Sequence, residues 1–260
     1  MAIAGAAFGC SDRPLGSTTG CEPSAAVAGV SLCGAIAGKP LSYVGAFEYY
    51  ARSNSVQEFE VLASDGPWVD LWGPNSTSDH EPHPITGWLL RPPANWAGRG
   101  TWFCGEGDTV TRHEDLSVDG TLAAPSILPA CSGAGGPGSL HIDIHGGITP
   151  LGPSGGCMVA FGSVTDGVRN RVMIFTPECP GRNVSLALDG LRIVEHAQTT
   201  DAVSATTRCV GAGAWLTWVP DDTTTASHLI VDIPSMSAPE ACAPPVSGAL
   251  QMKIAAPATN

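Results

Sequence analysis

Leu140-His141-Ile142-Asp143-Ile144 alternates apolar and polar residues, and Leu250-Gln251-Met252-Lys253-Ile254 does the same about 110 residues later. The echo extends upstream. Pro137-Gly138-Ser139 is answered by Ser247-Gly248-Ala249, and Ala130-Cys131 by Ala241-Cys242. Gly98-Arg99-Gly100-Thr101-Trp102 is matched by Gly211-Ala212-Gly213-Ala214-Trp215. Trp68-Val69-Asp70-Leu71 parallels Asn183-Val184-Ser185-Leu186, and Val44-Gly45-Ala46-Phe47 parallels Val159-Ala160-Phe161. Landmarks in one order predict an internal duplication. A period of two puts alternate side chains on opposite faces of a strand. The 32 Gly and 22 Pro among 260 residues supply turns and disfavour helix interiors. The sequence therefore predicts an all-β protein of two tandem β-sandwich-like or small-barrel units. A leader or tether would span 1–38, the first unit 39–149 and the second 150–260. Only Val194 to Thr206 reads as a short helix.

The nine cysteines include no C-x-x-C pair. Wide spacing suits disulfides in an oxidising compartment rather than a zinc ribbon or a thioredoxin-like site. Cys21–Cys33 would close a loop in the leader and Cys104–Cys131 would lie in the first unit. Cys157, Cys179, Cys209 and Cys242 belong to the second, where three pairings are open. Cys157–Cys179 with Cys209–Cys242 is favoured, because Cys242 aligns with Cys131. Cys10 is left over.

Cys10 follows the small apolar run Ala2-Ile3-Ala4-Gly5-Ala6-Ala7-Phe8-Gly9. Ala7-Phe8-Gly9-Cys10 resembles the lipobox of bacterial cell-envelope lipoproteins. The resemblance covers the first ten residues and carries no activity. It implies a lipid anchor on Cys10, with an extracellular or cell-envelope location. No apolar stretch is long enough for a transmembrane helix.

The formal charge of −12 comes from 24 acidic and 12 basic residues, and Lys39 and Lys253 are the only lysines. No basic cluster exists to neutralise a run of phosphates, so nucleic acid is not an expected partner.

Catalytic motifs weaken on inspection, and no catalytic residue is assigned. Gly152-Pro153-Ser154-Gly155-Gly156 has the letters of a nucleophile elbow, but a strand rather than a helix follows it. Gly133-Ala134-Gly135-Gly136-Pro137-Gly138 likewise lacks the helix that would hold a pyrophosphate. The carboxylate pairs Glu58/Glu60, Glu106/Asp108, Glu114/Asp115 and Asp221/Asp222 would suit a glycosidase only if two faced one cleft. His141, Asp143 and His145 share one strand face and could take zinc or copper, with His80, Glu81 and His83 adding ligands from a loop.

The tryptophans carry the strongest binding signal. Trp68, Trp72, Trp88, Trp96 and Trp102 all fall in the first unit. If Val69 and Leu71 point to its core, Trp68, Asp70 and Trp72 point outward together. Flat rings beside a carboxylate suit stacking on sugar. The alternative is that the leader, the loop 73–86 or the other unit covers this face. The expectation is a non-catalytic secreted or surface-anchored protein, either a ligand- or glycan-binding module or a structural envelope component, with a polysaccharide or an envelope protein as partner. The other reading is a metal-assisted or glycan-directed hydrolase.

Overall fold

A computed structural model describes residues 29–52, 57–63, 66–74, 81–93, 96, 101–114, 117–131, 138–150, 156–199, 202–220 and 227–255; residues 48–52, 57, 143–150, 220 and 227 are described by backbone alone. The chain is all β. The first strands are β1 (Gly29–Ile36), β2 (Lys39–Gly45), β3 (Phe47–Arg52), β4 (Gln57–Ala63), β5 (Trp68–Gly73), β6 (Pro82–Pro84) and β7 (Gly87–Arg91). Then come β8 (Phe103–Gly105), β9 (Thr109–Arg112), β10 (Val118–Ala123), β11 (Ser126–Ile127) and the long β12 (Leu140–Pro150). The rest are β13 (Cys157–Thr165), β14 (Val168–Thr176), β15 (Ser185–Ala187), β16 (Arg192–Gln198), β17 (Val203–Cys209), β18 (Trp215–Pro220), β19 (Ser227–Ile233) and β20 (Gly248–Ala255). Val194 to Thr206 is no helix. It is the antiparallel pair β16–β17, in which Val194 faces Thr207 and His196 faces Ala205. Pairing overrides the weak helical propensity of its alanines.

The strands form antiparallel sheets that stack as four layers. The first sandwich packs the sheet β2-β1-β20-β10-β9-β6 on the sheet β11-β8-β7-β5-β4-β3. Leu32, Ile36, Val118, Leu250 and Met252 from one sheet meet Phe59, Val61, Val69, Leu71 and Leu90 from the other in its core. The second sandwich is one eight-stranded sheet folded at β12. Residues 140–146 of that strand pair with β19, and residues 147–150 with β13. The two limbs close over Val159, Ile174, Ile193, Leu216, Leu229 and Val231.

The division of the chain at 149/150 is corrected by this topology. β12, the end of the first unit by sequence, lies in the second sandwich, and β20, the end of the second, lies in the first. The neighbour order β1-β20-β10 matches β13-β12-β19, so the echo between β12 and β20 corresponds to equivalent central places. A period-two strand fits either sandwich, so its pattern does not say which one it closes. Other landmarks are not equivalent: β5 is central in its sheet, whereas β15 is a three-residue edge strand.

Residues 29–36, assigned by sequence to the leader, instead form the strand β1. Val30, Leu32 and Ile36 are fully buried in β1, between β2 and β20. A Cβ on Gly34 (φ +148) would lie 2.1 Å from the Ala249 carbonyl oxygen, so glycine permits this close approach. Lipidation at Cys10 falls outside the described residues.

Among the described residues three disulfides have both partners: Cys104–Cys242, Cys131–Cys209 and Cys157–Cys179. The third is the predicted pair. Cys104–Cys131 and Cys209–Cys242 are not formed, because the return of β20 carries Cys242 to β8 and the connection before β12 carries Cys131 to the end of β17. Cys33 is disulfide-bonded, and Cys21 lies outside the described residues. Disulfides of this number place the chain in an oxidising, extracytoplasmic environment. Peptide mapping without reduction should recover these three linkages; a Cys104–Cys131 peptide would contradict the topology. Among the described residues no helix is long and apolar enough to cross a membrane.

Candidate functional site: the seam between the sandwiches

The β4-β5 sheet has two buried faces. Val61, Val69 and Leu71 point to the first core, as the alternation predicted. The opposite face of β4 and β5 carries three cross-strand pairs in a row: Leu62 with Trp68, Glu60 with Asp70, and Glu58 with Trp72. The limb β13-β14-β16-β17 of the second sandwich covers this face. Its own ladder sets Met173 beside Val194, Arg171 beside His196, and Arg169 beside Gln198.

The apolar part of the seam joins Leu62, Trp68, Leu89 and Trp102 to Met158, Met173, Phe175 and Val194. Trp68 meets Trp102 edge-on at 5.1 Å and Phe175 at 4.7 Å between ring centroids. Trp68 and Asp70 are both 0% exposed, which overturns an open platform of Trp68, Asp70 and Trp72. The other unit covers them. Only Trp72 keeps part of its ring in solvent.

Next to this lies a buried ionic cluster. Glu60 and Asp70 are like charges directly opposite each other on adjacent strands, an arrangement that is destabilising alone. The facing limb supplies the cations. Arg171 forms an ion pair with Glu60, and Trp68 Nε1 donates to the same carboxylate at 3.2 Å. His196 Nε2 lies 2.8 Å from Asp70 Oδ2, and its Nδ1 lies 2.9 Å from Glu58 Oε1. These two contacts are ionic and not well-directed hydrogen bonds. Burial alone would push the His196 imidazole down, but Asp70 and Glu58 outweigh it and raise it to about 10. Burial pushes Glu60 up to about 7, against the opposing pull of Arg171. Burial likewise raises Asp70. For Glu58, burial is outweighed by His196 and Arg171, and its carboxyl sits below the ordinary range.

Glu58, Asp70 and His196 also bring one ligand atom each within 4.8 Å of one another, a spacing compatible with a divalent cation. A cation there would have to displace the imidazole proton that Asp70 and Glu58 hold. Cys131 and Cys209 approach Glu240 in the same manner, but their sulfurs are bonded to each other.

Two hollows lie beside the cluster; Trp72, in the lining of one, contacts His196, in the lining of the other, edge-on at 6.3 Å between ring centroids. One, of about 520 Å³, is lined by Glu58, Gly162, Arg169, Arg171, His196 and Gln198. The other, of about 890 Å³, is lined by Trp72, Glu106, Thr207, Glu240, Pro244 and Pro245, with the Cys104–Cys242 disulfide in its wall.

Of the other predicted site residues, those that are described lie outside the ionic cluster. His141 lies exposed on β12, with Nδ1 3.7 Å from Asp232 Oδ1. The side chains of Asp143 and His145, and all of His80, are outside the described residues. His83 is buried in β6 of the first sandwich, and Glu81 is exposed beside it. Asp108 is used structurally, accepting from Trp88 Nε1 at 2.8 Å and from the Ala123 amide. Ser154 is outside the described residues, and the strand β13 follows it. Arg171 and His196 escaped sequence reading. No family model matches this chain, and neither the curated proteins nor the solved structures give a significant match.

Proposed function

We propose that this chain is a non-catalytic extracellular binding module that holds a saccharide chain in the cleft between its two sandwiches, and that it is secreted or held at the cell envelope through Cys10. The carrying observation is the larger hollow, which the part-exposed ring of Trp72 and the exposed carboxylate of Glu106 line together. A ring face takes the C–H face of a sugar, and carboxylates accept from its hydroxyls. Binding is favoured over hydrolysis because Glu240, which shares the hollow with Glu106, is held by Arg192 at 2.8 Å, and the carboxylates of the cluster are sequestered. Asp70 and Glu60 are fully buried, so neither can meet a glycosidic bond. Both imidazole nitrogens of His196 face carboxylates, which leaves no lone pair for a general base.

Titration calorimetry against envelope and matrix polysaccharides tests this reading. Trp72→Ala should weaken binding about tenfold, as expected for the loss of about 1.4 kcal/mol of stacking. Absence of binding to any polysaccharide, or an unchanged affinity in the variant, would reject it.

A further inference from the structure

The smaller hollow has a different chemistry from the Trp72 side. Strand parity puts Arg169, Arg171 and Met173 on one face of β14, toward the first sandwich, and Val194, His196 and Gln198 on the matching face of β16. Across β13, Gly162 stands opposite Arg171 and Val164 opposite Arg169. Gly162 presents no side chain beside the guanidinium of Arg171, and Val164 is exposed as an apolar flank. Three cations thus share one hollow of a chain with only 12 basic residues.

Their counter-charges are unequal. Arg171 has Glu60, and His196 has Asp70 and Glu58. Arg169 is exposed and forms no ion pair among the described residues. A planar guanidinium suits a carboxylate, which it can hold with two parallel hydrogen bonds. The net charge of −12 repels a polyanion at long range, but beyond about 8 Å that field is screened at physiological salt. The corner at Arg169 is where an anionic group is tolerated.

We infer that this corner seats the carboxylate of an acidic sugar, so that the cleft takes a uronate-bearing glycan, with Arg169 on the acid group and Trp72 on a neighbouring ring. The inference rests on the glycan reading above and names its substrate class. Trp72 lines the larger hollow and His196 the smaller, and their rings are in contact, so the two hollows are neighbours within the span of one oligosaccharide.

The test uses the whole protein immobilised for affinity measurements, with polygalacturonate, alginate and hyaluronate as probes, each paired with its carboxyl-methyl ester. The expected result is that at least one acidic polymer binds, that its neutral ester binds about tenfold more weakly, and that Arg169→Gln erases this difference. Arg169 is exposed, so the variant should melt with the parent. Equal binding of an acid and its ester, or an unchanged preference in Arg169→Gln, overturns the carboxylate seat and leaves the glycan reading standing. Binding of neither form of the three polymers overturns the uronate inference, and the glycan reading falls with it only if the neutral envelope and matrix polysaccharides also fail to bind.

Discussion

Trp68→Ala should cost about 3–5 kcal/mol, the range for truncating a large aromatic side chain in a core that relaxes only in part. Trp68 is fully buried between Trp102 and Phe175, so its removal opens a cavity across the seam. The loss also deprives Glu60 of its indole donor. Trp72→Ala removes a ring that already touches solvent and should cost under about 1.5 kcal/mol. Urea unfolding of the two variants separates them. A fall of the Trp72 variant as deep as that of the Trp68 variant would mean that Trp72 is structural, and the binding reading would lose its ring. A Trp68 variant that melts with the parent would mean that the sandwiches do not pack as described. A loss of several kcal/mol is a large part of the 5–15 kcal/mol that a domain commonly has.

How far these roles were legible depends on what each residue pattern can encode. The strand character of β4, β5 and β12 followed from alternation alone. The placement of Val69 and Leu71 in one core, with Trp68 and Asp70 on the other face, was also legible. What covers that second face was not. The signal was present in Trp68-Val69-Asp70-Leu71-Trp72 and Trp88-Leu89-Leu90, where apolar residues occupy both faces. Such runs mark strands buried on both sides rather than strands with a wet face. A lone Asp inside such a run implies a buried partner of opposite charge. Sequence could not name that partner, because Asp70 and His196 are far apart in the chain and meet only once the sandwiches dock.

The duplication shows the same limit. The match between β12 and β20 marked equivalent strands, yet each closes the sandwich opposite to the one its place in the chain suggested. Two disulfide pairings failed for that reason. Cys242 was assigned to Cys209 by alignment with Cys131, whereas the exchanged strands bring it to Cys104. Cys157–Cys179 was legible because both cysteines flank one hairpin, β13–β14.

The ionic cluster should make stability fall as pH rises. His196 is held at about 10 in the folded chain against an ordinary 6.5. A group raised in this way contributes fully below about 6.5, and its contribution is lost as pH climbs through 10. Asp70 and Glu60, both raised, act in the same direction at lower pH: their protonated forms are favoured by folding, and Glu60 loses its share between 4.5 and about 7. Glu58 is lowered and opposes them, so its stabilisation is lost as pH falls below its ordinary 4.5. The balance puts maximal stability at mildly acidic pH. Between pH 6.5 and 9.5 stability, and with it the melting temperature, should decline steadily as His196 loses the proton that the folded chain favours. His196→Gln should remove most of this slope. It also strands Asp70 and Glu58 without their cation, which costs about 3–5 kcal/mol at neutral pH. Asp70→Asn in the same background should recover part of that loss, because it removes the uncompensated charge left opposite Glu60. A parent protein whose melting temperature is flat from pH 6.5 to 9.5, or a His196→Gln variant that keeps the parent slope, would show that the imidazolium does not hold the two sandwiches together.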